Sequence, residues 1–216
     1  MLFRQSIHEV IILLPVLLLA LSVHEFSHAF VANLKGDPTA KNRGRLTLNP
    51  IYHLDPVGTL VLILSGLIGW AKPVPVNPGY FKDPRRDMMF VSIAGPVSNF
   101  SLAVLLAAIR MILLNIGFLH PYSGRLGLTG VADVIGLMIF IGVQINIALG
   151  IFNLIPVPPL DGSKILRGFL SRKYDYIFDR LEGPLGMMLL MFLVFFGLTS
   201  IIIVPFMRLF MGILGF

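Results

Sequence analysis

Long apolar runs separated by short charged segments dominate the chain. Five such runs cover residues 10–32, 57–70, 88–117, 129–155 and 184–216. A helix that crosses a bilayer needs about 20 apolar residues, and every run except residues 57–70 is that long. The pattern therefore predicts a membrane protein made of several spanning helices.

The distribution of Lys and Arg determines how the short run is interpreted. Residues 33–56 and residues 71–87 each hold four of these basic residues, and residues 156–183 hold five. Basic loops stay on the cytoplasmic side of a membrane, so the two loops that flank residues 57–70 are expected on the same side. The run between them is then re-entrant or interfacial, and the N-terminus lies outside.

Together these patterns predict an all-α polytopic membrane protein with four to six transmembrane helices. A re-entrant or interfacial extended segment is expected between the first and second full spans, since Pro73, Pro75 and Pro78 exclude a helix over 72–78. We expect one domain over residues 1–216, with a core over about 8–170 and a C-terminal helical segment over 184–216. The apolar pattern leaves open whether that last segment is one helix or two.

Composition narrows the classes of function. The chain is 56% hydrophobic and 13% charged, with a mean hydropathy of +0.87, whereas soluble domains are about 25% charged. Its net charge of +6 is expected to face anionic lipid headgroups rather than nucleic acid. The absence of cysteine excludes disulfides, thiolate zinc sites and iron–sulfur clusters. A metal would have to be held by His, Asp, Glu or backbone oxygen.

A metal-binding motif interrupts the first apolar run. His24, Glu25 and His28 form the pattern His-Glu-x-x-His, and two histidines four residues apart lie on one face of a helix. With five His and three Glu among 216 residues, chance predicts about 0.002 such motifs. The pattern is typical of a zinc site with two His ligands, in which the glutamate is the general base.

A third ligand is then needed, because catalytic zinc takes three protein ligands and keeps one position open. Asp161 follows a proline-rich bend after the fourth apolar run, and the predicted topology brings it to the same membrane face as the two histidines. Asp133 is the competing candidate, but it begins the fourth run on the opposite side, where it suits a helix N-terminus. Asp161 is therefore the predicted third ligand.

Several further motifs accompany these residues, and with them the chain resembles the site-2 protease family of intramembrane zinc metalloproteases, in the short prokaryotic form without a PDZ domain. The resemblance covers most of residues 20–170. It is carried by HEFSH at 24–28, RLTLNP at 45–50, HLDP at 53–56, GWAKPVPVN at 69–77, AGPVSN at 94–99 and NLIPVPPLDG at 153–162.

The resemblance implies one Zn²⁺ per chain, held by His24, His28 and Asp161, with Glu25 as the catalytic base. It also implies that Asn153 binds the oxyanion, and capping of its own helix end is the alternative for that amide. Gly95 and Pro96 are expected to allow close helix packing, and Asn99 to support the site from behind by a hydrogen bond to the first helix.

The substrate implied by the family is a single-pass membrane protein, cleaved in or near its transmembrane segment in a prokaryotic inner or plasma membrane. The active site is expected nearer the cytoplasmic face. An unwound substrate could pair with an extended segment, for which 72–78 is one candidate. The first choice is a strand over 45–50, with the clamp residues Arg45, Leu46, Thr47, Leu48 and Asn49.

Two other functions stay open at this stage. One is a catalytically silent relative that binds membrane helices, although that role does not require all four of His24, Glu25, His28 and Asp161. The other is a metal transporter, which would need ligands across the full bilayer depth. Lipid is an expected partner, and the sequence leaves the oligomeric state open, a homo-oligomer included.

Overall fold

The computed structural model describes residues 7–59, 71–119 and 130–216, and within them the chain is helical, as predicted. The helices are α1 (Ile7–Leu34), α2 (Thr39–Asn42), α3 (Pro84–Asn115), α4 (Val131–Asn153), α5 (Asp161–Phe169), α6 (Asp175–Leu181), α7 (Pro184–Phe195) and α8 (Leu198–Ile213). Short 3₁₀ turns cover Pro50–His53, Pro78–Tyr80 and Arg172–Tyr174. The prediction of an all-α polytopic membrane protein is thus confirmed.

Three of these helices, α1, α3 and α4, are long and apolar enough to cross a membrane, and a fourth span results if α7 and α8 are counted together. The described residues thus give three or four spans, and only the higher count reaches the predicted range of four to six. Residues 56–59 begin a helix. Residues 60–70 lie outside the described part of the chain, and with them most of the run predicted to be re-entrant.

The three long helices pack into one bundle whose contacts are made by small residues. In α1, Ala20, Ala29 and Ala32 are fully buried, and in α3 the exposed fraction of Ala103 is 1%. Small side chains let helix backbones approach closely, which is how helices associate where lipid removes the hydrophobic driving force. Beside them a cluster of apolar residues joins α3 to α4 and receives side chains from α8: Ala103, Ala107, Val143, Ile147 and Ile151.

The C-terminal apolar segment is two helices, which settles the question that its composition left open. Helices α7 and α8 are bent by 65° relative to each other. Gly197 lies at the break with a φ of +71°, a left-handed conformation that glycine adopts without steric cost.

Between α1 and α3 the chain contains an extended segment, residues 71–77, which we call the strap. It is free of helix throughout, as its prolines predict. The strand expected over 45–50 is absent, because Asn49 instead caps the 3₁₀ turn that begins at Pro50 by accepting a hydrogen bond from Ile51 N–H. Within the described residues, pairing of strand type is limited to one isolated bridge between Leu54 and Ala71.

Candidate metal centre

The two histidines of the motif lie one helical turn apart on α1 and point into the bundle. His24 and His28 are 5% and 8% exposed, and their Nε2 atoms are 3.0 Å apart. Two imidazoles at this separation can ligate one ion, as the four-residue spacing predicts.

Asp161 completes the group as the first residue of α5. Its Oδ2 lies 3.3 Å from His24 Nε2 and 3.2 Å from His28 Nε2.

A close backbone contact places Asp161 at this point. A Cβ on Gly162 would lie 2.3 Å from the Leu154 carbonyl oxygen, so only glycine lets the start of α5 pack against the end of α4. The bend that precedes it contains Pro156, Pro158 and Pro159, and prolines cannot continue α4. The aspartate is thus held where two helix ends meet.

The donor set fits zinc. Ligand atoms of His24, His28 and Asp161 all lie within 4.8 Å of one another, and the three residues are buried. Two imidazole nitrogens and one carboxylate oxygen match the ligands of a catalytic zinc site with one open position. The other ring nitrogens are also engaged, because His24 Nδ1 lies 2.6 Å from Asn99 Oδ1 and His28 Nδ1 lies 2.7 Å from the Val91 carbonyl oxygen. Both acceptors leave the Nε2 lone pairs free for a metal.

Helix α3 forms the wall behind both rings. A Cβ on Gly95 would lie 2.5 Å from His24 Cε1 and 2.6 Å from both Cε1 and Nε2 of His28. The rings therefore pack directly on the α3 backbone. Pro96, the next residue of α3, is also buried. The close packing expected at Gly95 is thus explained, because the missing side chain at this position leaves room for the two imidazoles.

Glu25 faces a cavity of about 260 Å³ that also contains the three candidate ligands. Its Oε2 accepts a hydrogen bond of 2.9 Å from the Val74 N–H of the strap. Asn153 lines the same cavity and donates its Nδ2–H to the Leu149 carbonyl, 3.1 Å away. Asn153 thus bonds back to its own helix, four residues earlier, and still borders the cavity.

The strap is fixed at both ends by groups that sequence reasoning did not assign to it. Arg45 Nη2 donates to the Lys72 carbonyl at 2.5 Å, and the fully buried Asp37 accepts from Asn77 N–H at 2.7 Å. Burial lowers the pKa of Arg45, while the nearby Glu25 carboxylate works to raise it. These contacts join residues 27 and 40 positions apart, so no local pattern could have revealed them.

The residues named as the clamp, 45–49, are absent from the cavity lining, whereas Pro73, Val74 and Val76 of the strap belong to it. Arg45 instead holds the strap by its bond to the Lys72 carbonyl. The Thr47 carbonyl lies 2.7 Å from His53 Nε2, within the same loop as the clamp residues. Of the two candidate segments, the strap is the one that lines the cavity and donates a hydrogen bond to Glu25.

A larger groove of about 840 Å³ adjoins the cavity. The two share Pro73, Met88, Pro159 and Lys164 as walls. Beyond them the groove is lined by charged residues of α3, α5 and α6, among them Arg85, Arg167 and Asp175. An extended peptide could thus run from the groove to the metal centre.

The chain resembles known metalloproteases along most of its length. The profile of Peptidase family M50 matches residues 12–197. YwhC of Bacillus subtilis, provisionally named a zinc metalloprotease, is 46% identical over 150 residues, which are 69% of this chain and 65% of YwhC. Zinc metalloprotease MJ0392 of Methanocaldococcus jannaschii is 27% identical over 195 residues, 89% of this chain and 44% of that protein.

A third relative is Rip2 of Mycolicibacterium smegmatis, also provisionally named a zinc metalloprotease. It is 35% identical over 158 residues, 71% of this chain and 55% of Rip2. The chain thus spans 44–65% of the length of these three relatives. No solved structure is significantly similar to this chain.

Proposed function

The chain belongs to peptidase family M50, and from this membership we propose that it is an intramembrane zinc metalloprotease that cleaves other membrane proteins in or near their transmembrane segments. The observation that carries the proposal is the buried group of His24, His28 and Asp161 beside Glu25 in one cavity. Three ionisable residues inside an apolar helix bundle are costly unless they hold an ion or one another. A carboxylate beside a metal site can serve as the general base of a hydrolysis.

His24, His28 and Asp161 would hold a zinc ion, and a zinc ion bound there would supply the Lewis acidity that polarises a carbonyl and acidifies water. Glu25 lies in the same cavity, where its carboxylate can take a proton from water and later deliver it to the leaving amine. The Asn153 amide borders the cavity and can donate to the oxygen that develops negative charge. Both residues act from positions set by the helix backbone.

The strap is the proposed binding site for the substrate backbone. A transmembrane helix hides its carbonyls in internal hydrogen bonds, so it must unwind before hydrolysis. An extended substrate can then pair with an extended protein segment. The strap meets this need because it is extended, is held by Arg45 and Asp37, and bonds to Glu25 through its Val74 N–H.

The proposed substrate is a single-pass protein of a prokaryotic inner membrane, cut near the cytoplasmic face. His28 is six residues before the end of α1 at Leu34, or about 9 Å of helix. The basic segments that follow α1 and α4 are expected on the cytoplasmic side. The metal centre therefore lies closer to that face than to the other.

The test is cleavage in proteoliposomes of a single-pass reporter whose transmembrane segment carries a Gly-rich stretch near its cytoplasmic end. Mass spectrometry of the fragments locates the cut. We expect wild type to cut within or beside the span and Glu25→Gln to be inactive. Asp179→Asn, the same acid-to-amide change at a carboxylate outside the cavity, should cut normally.

Intact reporter with zinc-loaded wild type, across a panel of such spans, would contradict the proposal. Captured but uncut reporter would instead favour the catalytically silent relative that binds membrane helices.

A further inference from the structure

A line of side-chain hydrogen bonds runs from the metal centre into the middle of the bundle. His24 Nδ1 meets Asn99 Oδ1 at 2.6 Å, and Asn99 Nδ2 donates to Asn146 Oδ1 at 2.9 Å. Asn146 Nδ2 in turn donates to the Gly142 carbonyl at 2.8 Å. The line thus joins α1, α3 and α4. We call these three side chains, His24, Asn99 and Asn146, the relay.

The two asparagines of the relay are removed from the bundle surface. Asn99 is 0% and Asn146 1% exposed. Asn146 is not among the residues that line the cavity, and its side-chain hydrogen bonds go to Asn99 and to the Gly142 carbonyl. The hydrogen-bonded route from Asn146 to the metal centre therefore passes through Asn99.

The relay has a fixed direction. The Gly142 carbonyl can only accept a hydrogen bond, so the NH₂ group of Asn146 must face it and the Asn146 oxygen must face Asn99. That oxygen requires the Asn99 NH₂ group, which turns the Asn99 oxygen toward His24. An amide oxygen accepts and cannot donate, so the proton of a neutral His24 ring lies on Nδ1.

This direction matters because a histidine ligates a metal only through a ring nitrogen that carries no proton. With the proton on Nδ1, His24 Nε2 offers its lone pair toward Asp161 and His28. Were the Asn99 amide turned over, its NH₂ group would face Nδ1 and the ring proton would move to Nε2. The ligand nitrogen would then be blocked.

We propose that Asn146 is a positioning residue that sets the His24 tautomer through Asn99 and thereby tunes metal affinity. The inference rests on the metal centre of the proposed function. The Ala20 carbonyl, 3.3 Å from Asn99 Nδ2, is a second and longer acceptor for the same amide. Loss of Asn146 should therefore weaken the orientation of Asn99 without abolishing it.

The alternative is that Asn146 only joins helices, as polar residues in membrane bundles commonly do. That role predicts a loss of stability in Asn146→Leu without a change at the histidines. The relay predicts both a weaker metal site and a mixture of His24 tautomers. The two roles are thus separable by measurements that do not involve catalysis.

The experiment measures zinc affinity of detergent-purified protein by competition with a chromophoric chelator. In parallel, ¹⁵N NMR of the metal-free protein with labelled imidazoles reads the His24 tautomer. We expect Asn146→Leu to weaken zinc binding by about 10-fold or more, as loss of a group that orients a ligand does, and to add an Nε2-protonated form. Ser22→Ala, which removes the side-chain hydrogen bond of another buried residue on α1, should change neither reading.

A second substitution, Asn99→Asp, tests whether Asn146 acts on His24 through Asn99. In Asn99→Asp either carboxylate oxygen accepts from His24 Nδ1–H, so the orientation no longer depends on Asn146. In the Asn99→Asp background, adding Asn146→Leu should then change zinc affinity by no more than about threefold. A tenfold change corresponds to about 1.4 kcal/mol, and a site that is no longer coupled to Asn146 should lose much less than that. If Asn146→Leu does not fold, Asn146→Asp, which keeps the acceptor, should retain the Nδ1-protonated ring.

Wild-type zinc affinity together with a single Nδ1-protonated tautomer in folded Asn146→Leu would overturn the proposal. A mixture of tautomers in Asn146→Asp, or an equal affinity loss with and without Asn99→Asp, would do the same. The tautomer reading is independent of the protease proposal, since a wild type that cleaves nothing can still hold His24 with its proton on Nδ1.

Discussion

Replacing Gly95 by alanine should destroy the metal centre while leaving the fold in place. The added Cβ would lie 2.5 Å from His24 Cε1 and 2.6 Å from two atoms of His28. Ordinary contacts to a Cβ begin at 3.4 Å, so the rings must retreat from α3 by about 0.8–0.9 Å. Zinc ligands tolerate about ±0.2 Å in distance. The displacement that the added Cβ requires is thus about four times larger than the tolerated change in ligand distance.

The alternative response, a shift of α3 itself, does not spare the site. His24 and His28 both take their Nδ1 partners from α3, at Asn99 and the Val91 carbonyl. Moving α3 away from the rings therefore weakens both bonds. Overpacking of one methyl costs about 1–3 kcal/mol of stability, which a helix bundle can lose and still fold. We expect zinc affinity to fall by at least about 100-fold, or about 2.8 kcal/mol.

The assay is zinc affinity by chelator competition, with circular dichroism and gel filtration as measures of folding. Gly136→Ala is the matched control, because its added Cβ would meet only the Leu119 Cδ2 atom at an ordinary 3.5 Å. That variant should bind zinc as wild type does. A folded Gly95→Ala with wild-type zinc affinity would refute the packing of both rings on the α3 backbone.

Three further predictions separate the roles of the remaining residues. Glu25→Gln should bind zinc as wild type does and lose about 10²–10⁴-fold in cleavage rate, because only proton transfer is removed; zinc loss in this variant would contradict that role. Asn153→Leu should lower kcat by about 10²–10³-fold without affecting zinc, and a change confined to KM would refute an oxyanion role. Asp37→Ala should release Asn77 N–H and loosen the strap. Hydrogen exchange at Val74 and the KM for a membrane reporter should then both rise. Unchanged exchange at Val74 would show that Asp37 does not hold the strap.

The helices and the metal ligands follow from local sequence, and this is why they could be predicted. A four-residue spacing fixes the relation of His24 to His28 once α1 is helical. Asp161 could be predicted because the prolines before it end α4 and the basic loops place both segments on one face. The break at Gly197 could not, since the apolar composition of residues 184–216 is equally compatible with a straight span.

The features that could not be predicted from the sequence depend on long-range contacts. The alternation over 45–50 predicted a strand, but the side chain of Arg45 turns inward to the Lys72 carbonyl and Asn49 caps a turn. The contact of Glu25 with Val74 joins residues 49 positions apart. Asn146 joins two helices through its bond to Asn99, and only the direction of the hydrogen bonds connects it to His24.

The most direct test of the account is the zinc content of purified protein by elemental analysis, for wild type beside Asp161→Ala and Asp133→Ala. Asp133 lies at the other end of α4, where it accepts from Gly130 N–H, so its loss is a matched removal of an aspartate. We predict about one zinc per chain in wild type and Asp133→Ala, and much less in Asp161→Ala. Zinc retained in Asp161→Ala but lost in Asp133→Ala, or no zinc in wild type, would contradict the central claim.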